Sequence, residues 1–261
     1  MTGLDFDPTA PWDDCGDNDP DSHSPRLQSY HQRLWSHRPL KGRTDGRTLI
    51  LQPEGSGLLD SGLGENFFGF DEGLFLKSDR AMATWWNWAD TQALREDEAL
   101  VARILASNPV LDNMGGILMW PGRKVDGPTL NQERGVGQKA RIADRLDLTL
   151  ECIRLAYQGV FEWEANPLGP ALARYWDFFL LFGDFDGYVE FWMLQDLLAP
   201  DGEHVSFLMG PDVDGSWDFA SRSPLPASRE DYDEYLRNAQ AFVLKRNDRM
   251  TSAWIGVGNA L

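Results

Sequence analysis

Apolar residues recur at helical intervals over most of this chain, and short alternating or continuous runs suited to strands are few. Ser24-Pro25 opens the first helix, with serine as N-cap and proline at the first helical position. In RLQSYHQRLWS, Leu27, Tyr30 and Leu34 then share one face. SDRAMATWWNWAD predicts a short helix capped by Ser78, and REDEALVARILAS (95–107) an amphipathic one. The second carries acids in its first turn, where the helix dipole favours them. A long helix is expected over 132–158 and another from Asn166-Pro167 through LARYWDFFLLF. GYVEFWMLQDLL suits a strand or a helix; Tyr188, Phe191, Gln195 and Leu198 on one face favour helix. Ser228 to Asp231 reads as a capping-box-like start for a last helix running to about 250.

Strands are expected at RTLILQ (47–52), LFLKS (74–78), GGILMWPG (115–122) and HVSFLMG (204–210). GGILMWPG is apolar throughout and bounded by Gly and Pro, the pattern of a central strand. Residues 1–24 read as an irregular arm, 53–73 as a Gly-rich insertion with Phe67, Phe68 and Phe70, and 211–227 as a loop. No internal repeat or domain boundary stands out. The expectation is a helix-rich α+β fold with a small sheet, one domain over 25–261.

Composition narrows the classes of function. Eleven Trp and fourteen Phe exclude a disordered chain. A net charge of −17 opposes phosphate backbones, so non-specific nucleic-acid binding is disfavoured. DNA mimicry is disfavoured too, because the chain is rich in aromatics rather than in bare acidic helices. Two cysteines, Cys15 and Cys152, give neither a disulfide framework nor a metal-binding pair, and Cys152 fits a buried apolar position. The start, MTGLDFDPTAPWDD, lacks the basic and apolar regions of a signal peptide, and no run of about 18 apolar residues would span a membrane. A reducing cytoplasm is the default expectation.

Familiar catalytic motifs are missing: there is no P-loop, no GxSxG and no HExxH. The chemistry instead concentrates in 131–158, NQERGVGQKARIADRLDLTLECIRLAYQ. Charges set among apolar helical positions must be paired or used, because burying a lone ion is costly. The segment is therefore an ion-pair network or one wall of a site. Asp144, Asp147 and Glu151 could share a helix face and hold a hard cation, together with Asp177 and Asp184 or Asp186. Arg145, Arg154 and Arg174 at matching intervals neutralise them instead, so neither a metal nor a cofactor is expected. After GGILMWPG, a strand end feeds a helix start, a place where backbone N–H groups bind anions. Arg123, Lys124, Asn131, Gln132, Arg134 and Lys139 cluster there.

Several long motifs resemble a family of uncharacterised bacterial and phage proteins known only as a domain of unknown function. They are DPDSHSPRLQSYHQRLWS, GGILMWPG, TLNQERG, IADRLDLTLECIR and NPLGPALARYWDFFLLFGDFDGYVEFWMLQDLL. Where the family pattern reads N-x-A-R-G-x-N, this chain carries Glu133 and Gly137 in place of the alanine and the second asparagine. The resemblance implies relatives, not an activity.

Two functions are carried forward. The first is an enzyme or binder acting on a nucleotide or other phosphate-bearing small molecule. Arg123, Asn131, Gln132, Arg134, Lys139 and Arg145 would bind the ligand, and Asp147 or Glu151 would act as base. The second is a non-enzymatic protein that meets a protein partner through its acidic surface or the aromatic 53–73 segment.

Overall fold

The structure is a computed structural model of the 261-residue chain, and it describes residues 7–11, 24–27, 30, 34, 74–82, 96–123, 128–135, 142–210 and 216–255. Two strands, β1 (Leu74–Arg80) and β2 (Ile117–Arg123), form an antiparallel pair in which Asp79 faces Leu118. Seven α-helices follow the chain among the described residues: α1 (Glu98–Leu111), α2 (Leu130–Arg134), α3 (Leu146–Tyr157), α4 (Gly169–Arg174), α5 (Trp176–Phe179), α6 (Phe185–Trp192) and α7 (Arg229–Ile255). The fold is α+β, helix-rich with a small sheet.

Local chemistry sets the helix starts. The Leu27 amide donates to the Ser24 hydroxyl at 3.2 Å, the cap expected ahead of Pro25, and Leu27, Tyr30 and Leu34 are all buried. Asp97 caps α1 by accepting from the Leu100 amide at 3.0 Å. Ser228 and Asp231 exchange backbone-to-side-chain bonds at the start of α7, the capping box read from the sequence. Asp184 caps α6, and Met193 ends it in the left-handed conformation at φ 57°. The segment GYVEFWMLQDLL is thus helical as far as Trp192, with a single 3-10 turn at Gln195–Leu197.

Five expectations change. The helix foreseen from Asn166-Pro167 through LARYWDFFLLF is α4 and α5, parted at Tyr175, followed by a 3-10 turn at Leu180–Phe182. The helix foreseen over 132–158 is two helices, because Gly135 at φ 85° ends α2 and Ala143 and Asp144 take positive φ just before α3. Among the described residues GGILMWPG has one strand neighbour rather than two: β2 pairs with β1, and Gly115 and Gly116 belong to a 3-10 turn ahead of it. Ser78 lies inside β1 rather than at a helix start. HVSFLMG makes only an isolated bridge, Val205 to Leu198. Its later backbone groups go to buried side chains: the Leu208 amide donates to Asp147 at 2.8 Å, and its carbonyl accepts from Asn238 at 2.8 Å. The expected strand at 47–52 and the aromatic insertion at 53–73 lie outside the described residues.

The core runs from Leu27 to Met250 and includes the buried Cys152. Its densest part is aromatic. Phe182 meets Phe178, Tyr188 and Phe191 at ring separations of 5.3, 5.2 and 5.0 Å. Edge-on and tilted pairs of this kind stabilise beyond their buried area. No helix among the described residues is long and apolar enough to cross a membrane.

One buried ion joins the parts. Arg246 of α7 is fully buried and donates to the carbonyls of Trp192 (2.9 Å), Gly115 (2.8 Å) and Ile117 (2.7 Å) and to the Tyr30 hydroxyl (3.1 Å). Arg249, three residues on, pairs with Asp196 at the surface. Replacing Arg246 with Met should orphan several of these acceptors and lower urea stability by about 3 kcal/mol or more. Arg249→Met should cost less than about 1 kcal/mol, as exposed pairs do. Similar losses in the two variants would show that Arg246 does not hold these segments together.

Candidate functional site

The residues expected to carry chemistry divide into two buried pairs and one partly open cluster. Arg145 and Asp147 are fully buried. The Arg145 guanidinium grips Asp147 through two nitrogens, and donates to the carbonyls of Pro224 at 3.1 Å and Met209 at 3.3 Å. It also stacks on Trp217, 4.7 Å from the ring centre. Asp147 takes one further bond, from the Leu208 amide. Glu151 is 1% exposed and binds Arg154 through both oxygens, at 2.8 and 2.7 Å. These carboxylates and guanidinia are turned to each other and to the backbone, which is the ion-pair alternative for the middle of the segment.

The second group lies around Arg134. Thr129 and Gln132 form a capping box at the start of α2, with bonds of 3.2 and 2.8 Å. Gln132 is thereby a capping residue at the surface, and Asn131 is left free to point elsewhere. The Arg134 guanidinium is completely buried and lies 3.9 Å above the Trp120 ring. Its Nε donates to the Thr149 hydroxyl at 3.0 Å. One terminal nitrogen meets Asn131 Oδ1 at 2.9 Å and Asp144 Oδ1 at 3.1 Å. The other meets the carbonyls of Ala81 at 3.1 Å and Asp144 at 3.5 Å. An arginine has five N–H donors, and each here has an acceptor.

Asn131 passes the contact on. Its amide nitrogen donates to Asp79 Oδ2, while Asp79 Oδ1 accepts from the Arg80 amide at 2.7 Å. Arg80 in turn pairs with Asp112. The result is a row, Asp79–Asn131–Arg134–Asp144, across the end of β1, α2 and the turn before α3. In that turn Ala143 and Asp144 stand at φ 53° and 58°. Non-glycine residues in this region carry strain of order 1 kcal/mol, and such strain gathers at functional sites. It is held by reciprocal bonds: the Asp144 amide donates to the Arg134 carbonyl at 2.9 Å, and the Arg134 side chain reaches back to the Asp144 carbonyl.

Asp144 differs from the other carboxylates of the segment. A quarter of its side chain (24%) is exposed, and one oxygen faces Arg134. Loss of water around it pushes its pKa up to about 6; the Arg134 charge opposes this and the Asp79 charge reinforces it. A carboxyl that titrates near neutrality and remains accessible can give or take a proton.

The remaining predicted residues stand apart or out of view. Arg123 ends β2 opposite Leu74, and Lys139 falls outside the described residues. No group of three or more His, Cys, Asp or Glu side chains with metal-binding geometry occurs among the described residues. Sequence reasoning placed Asp144 only in a metal set and did not consider Asp79. The signal that Asp144 sits in a turn was present in Gly135 and Gly137, which weaken a continuous helix.

The shift at Asp144 has a pH signature. A folded-state pKa above the ordinary 3.8 means that the folded chain holds this proton more tightly than the unfolded one. The contribution to stability is therefore fully present below pH 3.8 and is lost as pH rises through about 6. Urea titrations between these limits should show it as a loss on the order of 1 kcal/mol, modest because part of the side chain is in water. Asp144→Asn should remove this component. An unchanged pH slope in the variant would assign the titration to another group.

No curated protein and no solved structure matches this chain. A family model does match, over residues 4–250, and its description is a family of unknown function, DUF6994. That span takes in β1, β2 and every residue of the Asp79–Asp144 row, and the chain belongs to this family.

Proposed function

We propose that this chain is an enzyme or binder for a small polar molecule, with its site at Asp144. One observation carries the reading: Asp144 is a partly exposed carboxyl with a pKa near 6, fixed on a strained turn by a buried arginine and beside a second carboxylate. Asp144 gives or accepts the proton. Asp79 holds Asn131, Asn131 holds Arg134, and Arg134 fixes Asp144. A rigid support of this kind keeps an acid–base group within reach of one ligand atom.

The class of ligand follows from which groups remain free. A phosphate needs open N–H donors. Those of Arg134 are all engaged, and Arg145 is buried on Asp147. A nucleotide or other phosphate-bearing ligand would therefore meet this site through its hydroxyl or amino groups, with the phosphate held elsewhere. Hydroxyls and amines donate to carboxylates, and Asp144 is the acceptor they would reach. Asp147 and Glu151, proposed from the sequence as bases, hold their arginines instead.

A thermal-shift screen of nucleosides, nucleotides, polyols and amines tests the proposal against wild type, Asp144→Asn and Glu151→Gln. At least one compound should raise the wild-type midpoint at millimolar concentration, and Asp144→Asn should lose that response by tenfold or more in apparent affinity. Glu151→Gln should keep it, at a lower starting stability. A response that survives Asp144→Asn would move the site away from Asp144.

A further inference from the structure

A second feature lies far along the chain from Asp144, between α1 and α7. The two helices run in the same direction: Asp97 pairs with Arg229 at 2.7 Å, Arg103 with Asp233 at 2.9 Å, and further along Gly115 packs against Val243 and Asn247. Between them a groove of about 360 Å³ opens to solvent. Ala106 and Ser107 of α1 and Leu236 and Gln240 of α7 line it, with Arg103, Asp233 and Arg237 as its charged groups. This volume suits a small molecule.

The charges select the ligand. The chain has 41 acidic and 24 Lys and Arg residues, so what matters is the local balance of charge around the groove. Arg80, Arg103, Arg174, Arg229 and Arg249 each pair with an acid. Arg237 is exposed, lines the groove and makes no ion pair among the described residues. Asp233 faces Arg103 and, at 3.9 Å, Arg229, so its charge is already matched. Two cations and one acid line the groove, leaving a single positive charge. A monoanion fits that balance. A dianionic phosphate would set its second charge against Asp233. Ala106 and Leu236 offer an apolar surface beside the guanidinium, and an arginine fork takes a carboxylate through two parallel bonds.

We propose that the groove between α1 and α7 binds a small organic carboxylate, with the carboxylate on Arg237 and a short apolar chain against Ala106 and Leu236. The site is independent of Asp144 and stands whether or not that residue is catalytic.

Amide NMR of the full chain, titrated at constant ionic strength with butyrate, butylammonium or inorganic phosphate, tests it. Butyrate should shift amides near Ala106 and Leu236 saturably, with a Kd on the order of 1–10 mM. Butylammonium should leave them in place, and phosphate should bind at least tenfold more weakly than butyrate. Arg237→Glu lies at the surface and should fold normally while weakening butyrate tenfold or more, and Arg237→Lys should retain part of the affinity. No saturable shift with butyrate, equal binding of phosphate, or full affinity in Arg237→Glu would each overturn the proposal.

Discussion

The buried guanidinium of Arg246 is the constraint on which the rest of the structure depends. A charge with no water around it must be satisfied by hydrogen bonds, and Arg246 finds them on backbone carbonyls and one tyrosine. Those acceptors come from the turn and strand at 115–117, the end of α6 and the N-terminal helical stretch. Burial depresses the pKa of Arg246, while Tyr30 and Tyr188 oppose that shift. An arginine remains charged even so, because its ordinary value is very high. Moving any of these segments would strand the ion, so α7 fixes their mutual positions.

Arg134 and Arg145 repeat the same device. Between them they bond the carbonyls of Ala81, Asp144, Pro224 and Met209. The reason lies in the architecture. The only sheet among the described residues has two strands, and several helices are four to eight residues long. Many backbone groups therefore fall outside regular ladders, yet they are buried and need partners. A guanidinium offers five donors in one plane and can serve carbonyls from several segments at once. In this fold the buried arginines take over the work that sheet ladders do in larger sheets.

This also explains what the sequence could and could not reveal. Periodicity and capping chemistry are local, so the start of α7 at Ser228, the face of Leu27, Tyr30 and Leu34, and the helix at 185–192 were legible. The rule that charges among apolar positions must be paired or used left two courses open for 131–158, and Arg145–Asp147 and Arg154–Glu151, whose partners lie two and three residues apart, take the first. Arg246 escaped notice because its partners are up to 216 residues away and carry no charge pattern. HVSFLMG has the composition of a strand, but Asp147 and Asn238 claim its backbone from distant helices. The break before α3 was marked only by glycines, because Ala143 and Asp144 are held at positive φ by contacts to Arg134 rather than by their own preference.

The same logic separates the candidate site from its surroundings. Arg134, Arg145, Asp147 and Glu151 are closed to solvent and matched by partners that leave them little to offer a ligand. Asp144 is incompletely matched: Arg134 faces one of its oxygens, the side chain reaches solvent, and its pKa stands near 6 despite the adjacent cation. In a fold that satisfies buried charges so thoroughly, this mismatch has a definite cost, added to the strain of two consecutive left-handed residues. The buried Arg134, held in turn by Asn131 and Asp79, is what sustains that cost. Loosening Arg134 would relax the turn and let the carboxyl swing into water, where its pKa would fall towards the ordinary value. Stability at Arg134 and the raised pKa of Asp144 are in this sense one property, built by the elements that meet there: the end of β1, α2 and the start of α3.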